Sequence, residues 1–117
     1  MLFYNRGQIV LVLFPSSNLR TAKRRPALVV QADNLSTGLP QIIVAMITSN
    51  LSRVGHPSRV LIQIATEEGQ QTGLLHDSVI MTDNLVTVLE IEIDRVIGVW
   101  SDMSSVDVAL AHTFGLA

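Results

Sequence analysis

A chain of 117 residues with 48% hydrophobic and 15% charged residues has room for one domain, spanning 1–117, and is too apolar to be disordered. The formal net charge of −2 does not suit a general nucleic-acid binder, and the lack of cysteine excludes disulfides, thiolate nucleophiles and cysteine-bound zinc. The longest apolar runs, Ile9–Phe14 and Ile42–Ile47, are strand-sized, well short of the roughly 20 residues that cross a membrane.

Met1-Leu2-Phe3-Tyr4-Asn5-Arg6-Gly7 lacks the charge-then-apolar order of a signal peptide, so a soluble, cytoplasmic protein with no membrane partner is expected. Gln8–Phe14 predicts a buried strand that ends in the turn chemistry of Pro15-Ser16-Ser17-Asn18. A basic loop, Arg20-Thr21-Ala22-Lys23-Arg24-Arg25, leads into a second strand over Pro26–Gln31, making a wide hairpin. Asp33-Asn34 and Ser36–Pro40 are loop material, and Gln41–Thr48 predicts a third strand broken at Ser49-Asn50. His56-Pro57-Ser58 precedes a fourth, Arg59–Ile64, and Glu67–Gln70 turns the chain.

Short strands are predicted at Thr72–Leu75 and Ser78–Met81, around His76-Asp77, and another at Leu85–Leu89. Asp94–Val99 fits either a helical turn or a strand. Ser101 predicts a helix N-cap, with Asp102 in the first turn, Met103, Val106, Leu110 and Phe114 at helical spacing, and Gly115 as the stop. The fold class is therefore mainly β (α+β): a small, bent antiparallel sheet or barrel with a packed C-terminal helix. The high apolar content leaves hydrophobic surface for a second copy, so a homodimer is expected.

Charge is segregated along the chain. Residues 1–60 carry seven cations against Asp33, whereas residues 61–117 carry only Arg95 against nine acids. The cations at Arg20, Lys23, Arg24 and Arg25 read either as a solvated loop or as a phosphate-attracting patch. No GxGxxG or Walker loop occurs, and His56, His76 and His112 have no close metal-ligand spacing, so neither cofactor nor metal is expected. His76-Asp77-Ser78 is no hydrolase triad, because neighbours on a strand point to opposite faces.

Pro26 holds Arg25 in extended geometry at a strand mouth, and Thr48-Ser49-Asn50 places three hydrogen-bonding side chains at another strand end. If those strands are close, one mouth collects a guanidinium with hydroxyl and amide groups, a set suited to phosphate. Cleavage of RNA through its own 2′-OH needs little more than positioning, proton transfer and charge stabilisation. Arg25 and Thr48 supply the electrostatic part, while no proton acceptor stands out beside them. The same residues also read as a plain strand entry and a strand-end turn.

Taken in order, Arg6-Gly7-Gln8-Ile9-Val10, Phe14-Pro15, Arg25-Pro26-Ala27-Leu28-Val29-Val30 and Ile43–Asn50 resemble the MazF/PemK family of toxin–antitoxin endoribonucleases. Asp77–Ile80, Asp83-Asn84-Leu85, Val106–Leu110 and Phe114-Gly115-Leu116 extend the resemblance over nearly the whole chain. It implies an SH3-like barrel, a homodimer, a single-stranded RNA groove, metal-independent cleavage leaving a cyclic phosphate, and a cognate antitoxin. It further implies catalytic roles for Arg25 in proton donation and phosphate stabilisation, Thr48 in transition-state stabilisation, and Asp83 as a base. Arg20, Lys23, Arg24, Ser49 and Asn50 are the candidate RNA contacts.

Two departures stand out: Val86 replaces an arginine of the family's Asp-Gln-x-Arg-Thr, and Ser16–Arg24 carries no glycine. Two alternatives accompany this reading. One is a non-catalytic toxin of the same fold that binds a protein such as DNA gyrase through its C-terminal residues. The other is a degenerate member that binds RNA or antitoxin without cutting.

Overall fold

A computed structural model describes residues 4–15 and 22–116, with side chains described for 4–13 and 23–116. Six strands form one antiparallel sheet: β1 (Gln8–Pro15), β2 (Ala22–Val29), β3 (Gln41–Thr48), β4 (Arg59–Ile62), β5 (Ser78–Leu89) and β6 (Ile93–Val99). Their order across the sheet is β4-β5-β3-β2-β1-β6. Among the described residues two α-helices complete the fold, the single turn α1 (Glu67–Gln70) and the C-terminal α2 (Met103–Phe114). The fold class matches expectation, but among the described residues β4 and β6 are not paired, so the sheet is open rather than a closed barrel.

Both faces of the central strands are covered, which explains their continuous apolar runs. Consecutive residues Ile9 and Val10 are both fully buried, but on opposite sides. Ile9, Leu28, Ile47, Ile62 and Ile80 pack with Trp100 and Val106 on the face that carries α2. Val10, Val12, Ala27, Val29, Val44 and Met46 pack on the other face with Val88 and Ile93. Register shifts in the β1–β6 and β3–β5 pairings bend the sheet around this second cluster.

The largest irregularity lies in β5. Met81 is opposite Met46 and Leu85 is opposite the adjacent Ala45, so Thr82-Asp83-Asn84 is inserted on one strand only. The two short strands expected over 78–81 and 85–89 are thus one strand with a wide bulge. The insertion is held by Thr82, whose N–H and Oγ–H both donate to Ser58 O, at 3.0 and 2.6 Å.

Three other expectations are corrected. The strand predicted at Thr72–Leu75 does not form. Buried Thr72 instead donates to Gly69 O at 2.6 Å and accepts from Leu74 N at 3.2 Å, closing the turn after α1. β2 starts at Ala22 rather than Pro26, because pairing with β1 carries the strand back through the basic cluster, with Leu13 opposite Arg24. The α2 N-cap is Asp102, not Ser101: its Oδ1 accepts from Ser105 N at 3.3 Å and Ser104 Oγ at 2.8 Å. The helix ends as expected at Gly115, in the left-handed conformation with φ +69°. Phe114 at its last turn is exposed, and Ala109 takes the buried place beside Val106.

Candidate active site

β2 and β3 set the geometry. Ala27 is opposite Met46 and Val29 opposite Val44. Continued by two residues, that register puts Arg25 opposite Thr48, and Thr48 in turn is opposite Val79 of β5. Side chains opposite one another in an antiparallel pair share a face. Arg25 and Thr48 therefore stand at the end of the apolar cluster on the face away from α2.

A groove of about 1130 Å³ opens there, lined by Lys23, Arg24, Arg25, Thr48, Ser49 and Asn50 among others. Six of the eight candidate residues thus come together. Arg20 lies outside the described residues. Asp83 does not line the groove; the bulge turns it toward β4.

The polar groups in the groove have defined hydrogen-bonding capacity. Thr48 Oγ1 accepts from Asn50 N at 3.1 Å, which leaves its hydroxyl proton to donate. Asn50 Oδ1 accepts from Ser52 N at 3.1 Å and Ser52 Oγ at 2.7 Å, capping a 3-10 turn over Leu51–Arg53. Its amide N–H groups have no acceptor among the described residues and can face a ligand. Arg24 Nε donates to Asp94 Oδ2 at 3.0 Å, and Arg95 Nε lies 4.0 Å from the same oxygen. Among the described residues, Lys23 and Arg25 have no carboxylate in ion-pair range.

Sequence reading missed three charged or titratable lining residues: Arg53, His76 and Arg95. Val86 also lines the groove, while Arg95 brings a cation to it from β6. The signal for His76 was available as proximity to a strand end, but its partner strand could not be read from the chain order.

Asp83 is bound by Arg59, whose Nη2 donates at 2.9 Å and whose Nε reaches the other oxygen at 3.5 Å. Arg59 Nη1 also donates to Arg53 O at 3.1 Å, tying the bulge to the 3-10 turn beside Thr48. The Arg59 hydrogen bond holds the Asp83 carboxyl below the usual carboxylate range, against the opposing effect of its partial burial. A depressed carboxylate stabilises the fold above its unfolded pKa and loses that contribution as pH falls through the folded value. Asp83→Asn is therefore expected to lower stability at pH 7 by about 1 kcal/mol, with the difference shrinking below about pH 4. Urea unfolding of both proteins across that range checks it.

The sequence profile described as "PemK-like, MazF-like toxin of type II toxin-antitoxin system" matches residues 5–114. The chain belongs to the PemK/MazF toxin family. The endoribonucleases MazF2 of Mycobacterium bovis and MazF6 of Mycobacterium tuberculosis are each 37% identical to it over 86 residues, covering 72% of this chain and 71% of theirs. A mycobacterial endoribonuclease solved with its cognate antitoxin superposes with a TM-score of 0.75 at 19% identity, covering 97% of both chains. The M. tuberculosis toxin MazF-mt6 superposes with a TM-score of 0.72 at 23% identity, covering 94% of this chain and 98% of that one. At those identities the superpositions establish the shared toxin fold. Within that PemK/MazF fold, the groove is where the basic β2 segment meets the end of β3.

Proposed function

We propose that this toxin is a sequence-preferring endoribonuclease that cleaves single-stranded mRNA through attack by the ribose 2′-OH. The observation that carries this reading is the placement of Arg25 and Thr48 in one groove whose described charged side chains are all cationic. The Arg25 guanidinium presents a planar fork to two phosphate oxygens, and the Thr48 hydroxyl donates to charge that grows on phosphorus during attack. Lys23, Arg24, Ser49 and Asn50 hold the neighbouring phosphates and bases. Asp83 acts as a positioning residue, through Arg59 and the 3-10 turn that follows Asn50. No metal is assigned a step, because the substrate carries its own nucleophile.

A cognate antitoxin neutralises the protein by laying an acidic segment over the same cations. The relative solved with its antitoxin supports such a partner. No helix among the described residues is long and apolar enough to cross a membrane. The toxin works in the cytoplasm, where mRNA is found, as a homodimer. Exposed apolar side chains at Leu75, Ile91 and Val108 favour a second copy.

Incubation with a long, unstructured RNA tests the proposal: discrete fragments sharing a short sequence at their ends support it, and intact RNA overturns it. Lys23→Ala is expected to weaken RNA binding for all sequences alike and to reduce the salt slope of log Kd by about 0.7, the value for one phosphate contact on a single strand. Titrations of labelled RNA at several salt concentrations measure both.

A further inference from the structure

Cleavage by 2′-OH attack requires a group that takes the hydroxyl proton, and Arg25 and Thr48 do not provide it. Arginine stays protonated at any physiological pH, and a threonine hydroxyl is a poor base. Among the described residues, the charged and titratable side chains that line the groove are Lys23, Arg24, Arg25, Arg53, Arg95 and His76. No carboxylate is among them. Residues 16–21, Ser-Ser-Asn-Leu-Arg-Thr, contain neither acid nor histidine, so that segment has no base to contribute either. Imidazole is the one side chain in this set whose neutral form has a ring nitrogen free to accept a proton.

From this census we infer that His76 is the general base of the cleavage reaction, a role that rests on the endoribonuclease reading above. Its place in the groove lining supports it. Thr48 is opposite Val79 at the last β3–β5 pair, and His76 lies three residues before Val79 on the segment that enters β5. His76 is exposed on the same groove, on an arm with firm support. Ser78 Oγ donates to His76 O at 2.8 Å. Asp77 is turned away, its Oδ1 accepting from Ile64 N at 2.9 Å, so the one carboxylate adjacent in sequence serves the backbone rather than the substrate. The arm is fixed to β6 by Val99 N donating to Gln71 O at 2.9 Å.

In the step itself, a ring nitrogen of His76 takes the 2′-OH proton as the 2′-oxygen bonds to the adjacent phosphorus. The bond from phosphorus to the 5′-oxygen breaks, and that oxygen takes a proton from solvent water. The imidazolium returns its proton to the hydroxide so formed. The products are a 2′,3′-cyclic phosphate and a 5′-hydroxyl. Arg25 neutralises the charge that builds on the non-bridging oxygens throughout.

The test is single-turnover cleavage of one RNA by the full-length wild type, His76→Ala and His76→Gln between pH 5 and 9, with RNA affinity measured in parallel. Loss of a general base lowers the rate by about 10²–10⁴-fold at pH 7. RNA affinity in both variants should stay within about threefold, since one lost base is not a lost phosphate contact. The wild-type rate should rise with pH through an acid limb that both variants lack, and added imidazole should restore part of the activity of His76→Ala. A merely structural role predicts no such rescue. Variants that cut within threefold of wild type and keep its acid limb overturn the assignment of His76 alone. A folded wild type that leaves RNA intact overturns the endoribonuclease reading, and this assignment with it.

Discussion

Replacing Arg25 with alanine is expected to lower the single-turnover rate of RNA cleavage by about 10²–10³-fold, the usual loss when one preorganised donor to transition-state charge is removed. The stability should stay within about 0.5 kcal/mol of wild type, because Arg25 is exposed and the change leaves the apolar cluster intact. Position accounts for this separation of effects. Ala27 and Val29 of the same strand face are fully buried and anchor β2, so the strand stays in place when the guanidinium is gone. Arg25→Lys is the sharper variant: it keeps the charge but not the planar fork, and should recover only a small part of the rate. Quench-flow cleavage with thermal unfolding of the same samples measures both quantities.

Gly98→Val is expected to act on stability first. A Cβ at Gly98 would stand 2.3 Å from Gln71 O and 2.3 Å from Thr72 C, both backbone atoms with no side-chain rotamer to move aside. Gly73, on the facing segment, is equally constrained: its Cβ would meet Ile97 O at 2.1 Å, and its φ is +74°. The two glycines allow the turn after α1 to lie directly on β6, and that turn leads into the arm bearing His76. The clash should cost about 3 kcal/mol, the upper range for overpacking, and lower the unfolding midpoint by about 10–20 °C. Calorimetry of Gly98→Val against wild type checks this, and a midpoint within a few degrees of wild type would contradict it.

How far these features were legible depended on whether local or distant contacts set them. β3 was read from the sequence with its observed bounds, Gln41–Thr48, because a run of buried apolar residues between turn signals is a local pattern. The same holds for the Gly115 stop of α2. The start of β2 was hidden, since Lys23, Arg24 and Arg25 are extended only by pairing with β1. The bulge at Thr82-Asp83-Asn84 was hidden too, because two short strands and one bulged strand have the same apolar pattern. That bulge decides where Asp83 points, so its place beside Arg59 was beyond sequence reading. Thr48 was legible as a strand end, and both residues by resemblance to PemK/MazF toxins, but Arg25, read as the mouth of a strand, lies inside β2. His76 was not, because its place in the groove depends on a β3–β5 register that the separation of the two strands in sequence conceals.

The most direct measurement of the central claim is incubation of the purified protein with a long, unstructured RNA in excess EDTA, with Arg25→Ala beside it and the fragment ends identified by mass spectrometry. The predicted result is discrete fragments bearing 2′,3′-cyclic phosphate and 5′-hydroxyl ends from the wild type, with almost none from the variant. Intact RNA after incubation with folded wild-type protein, or equal cutting by Arg25→Ala, would contradict the account.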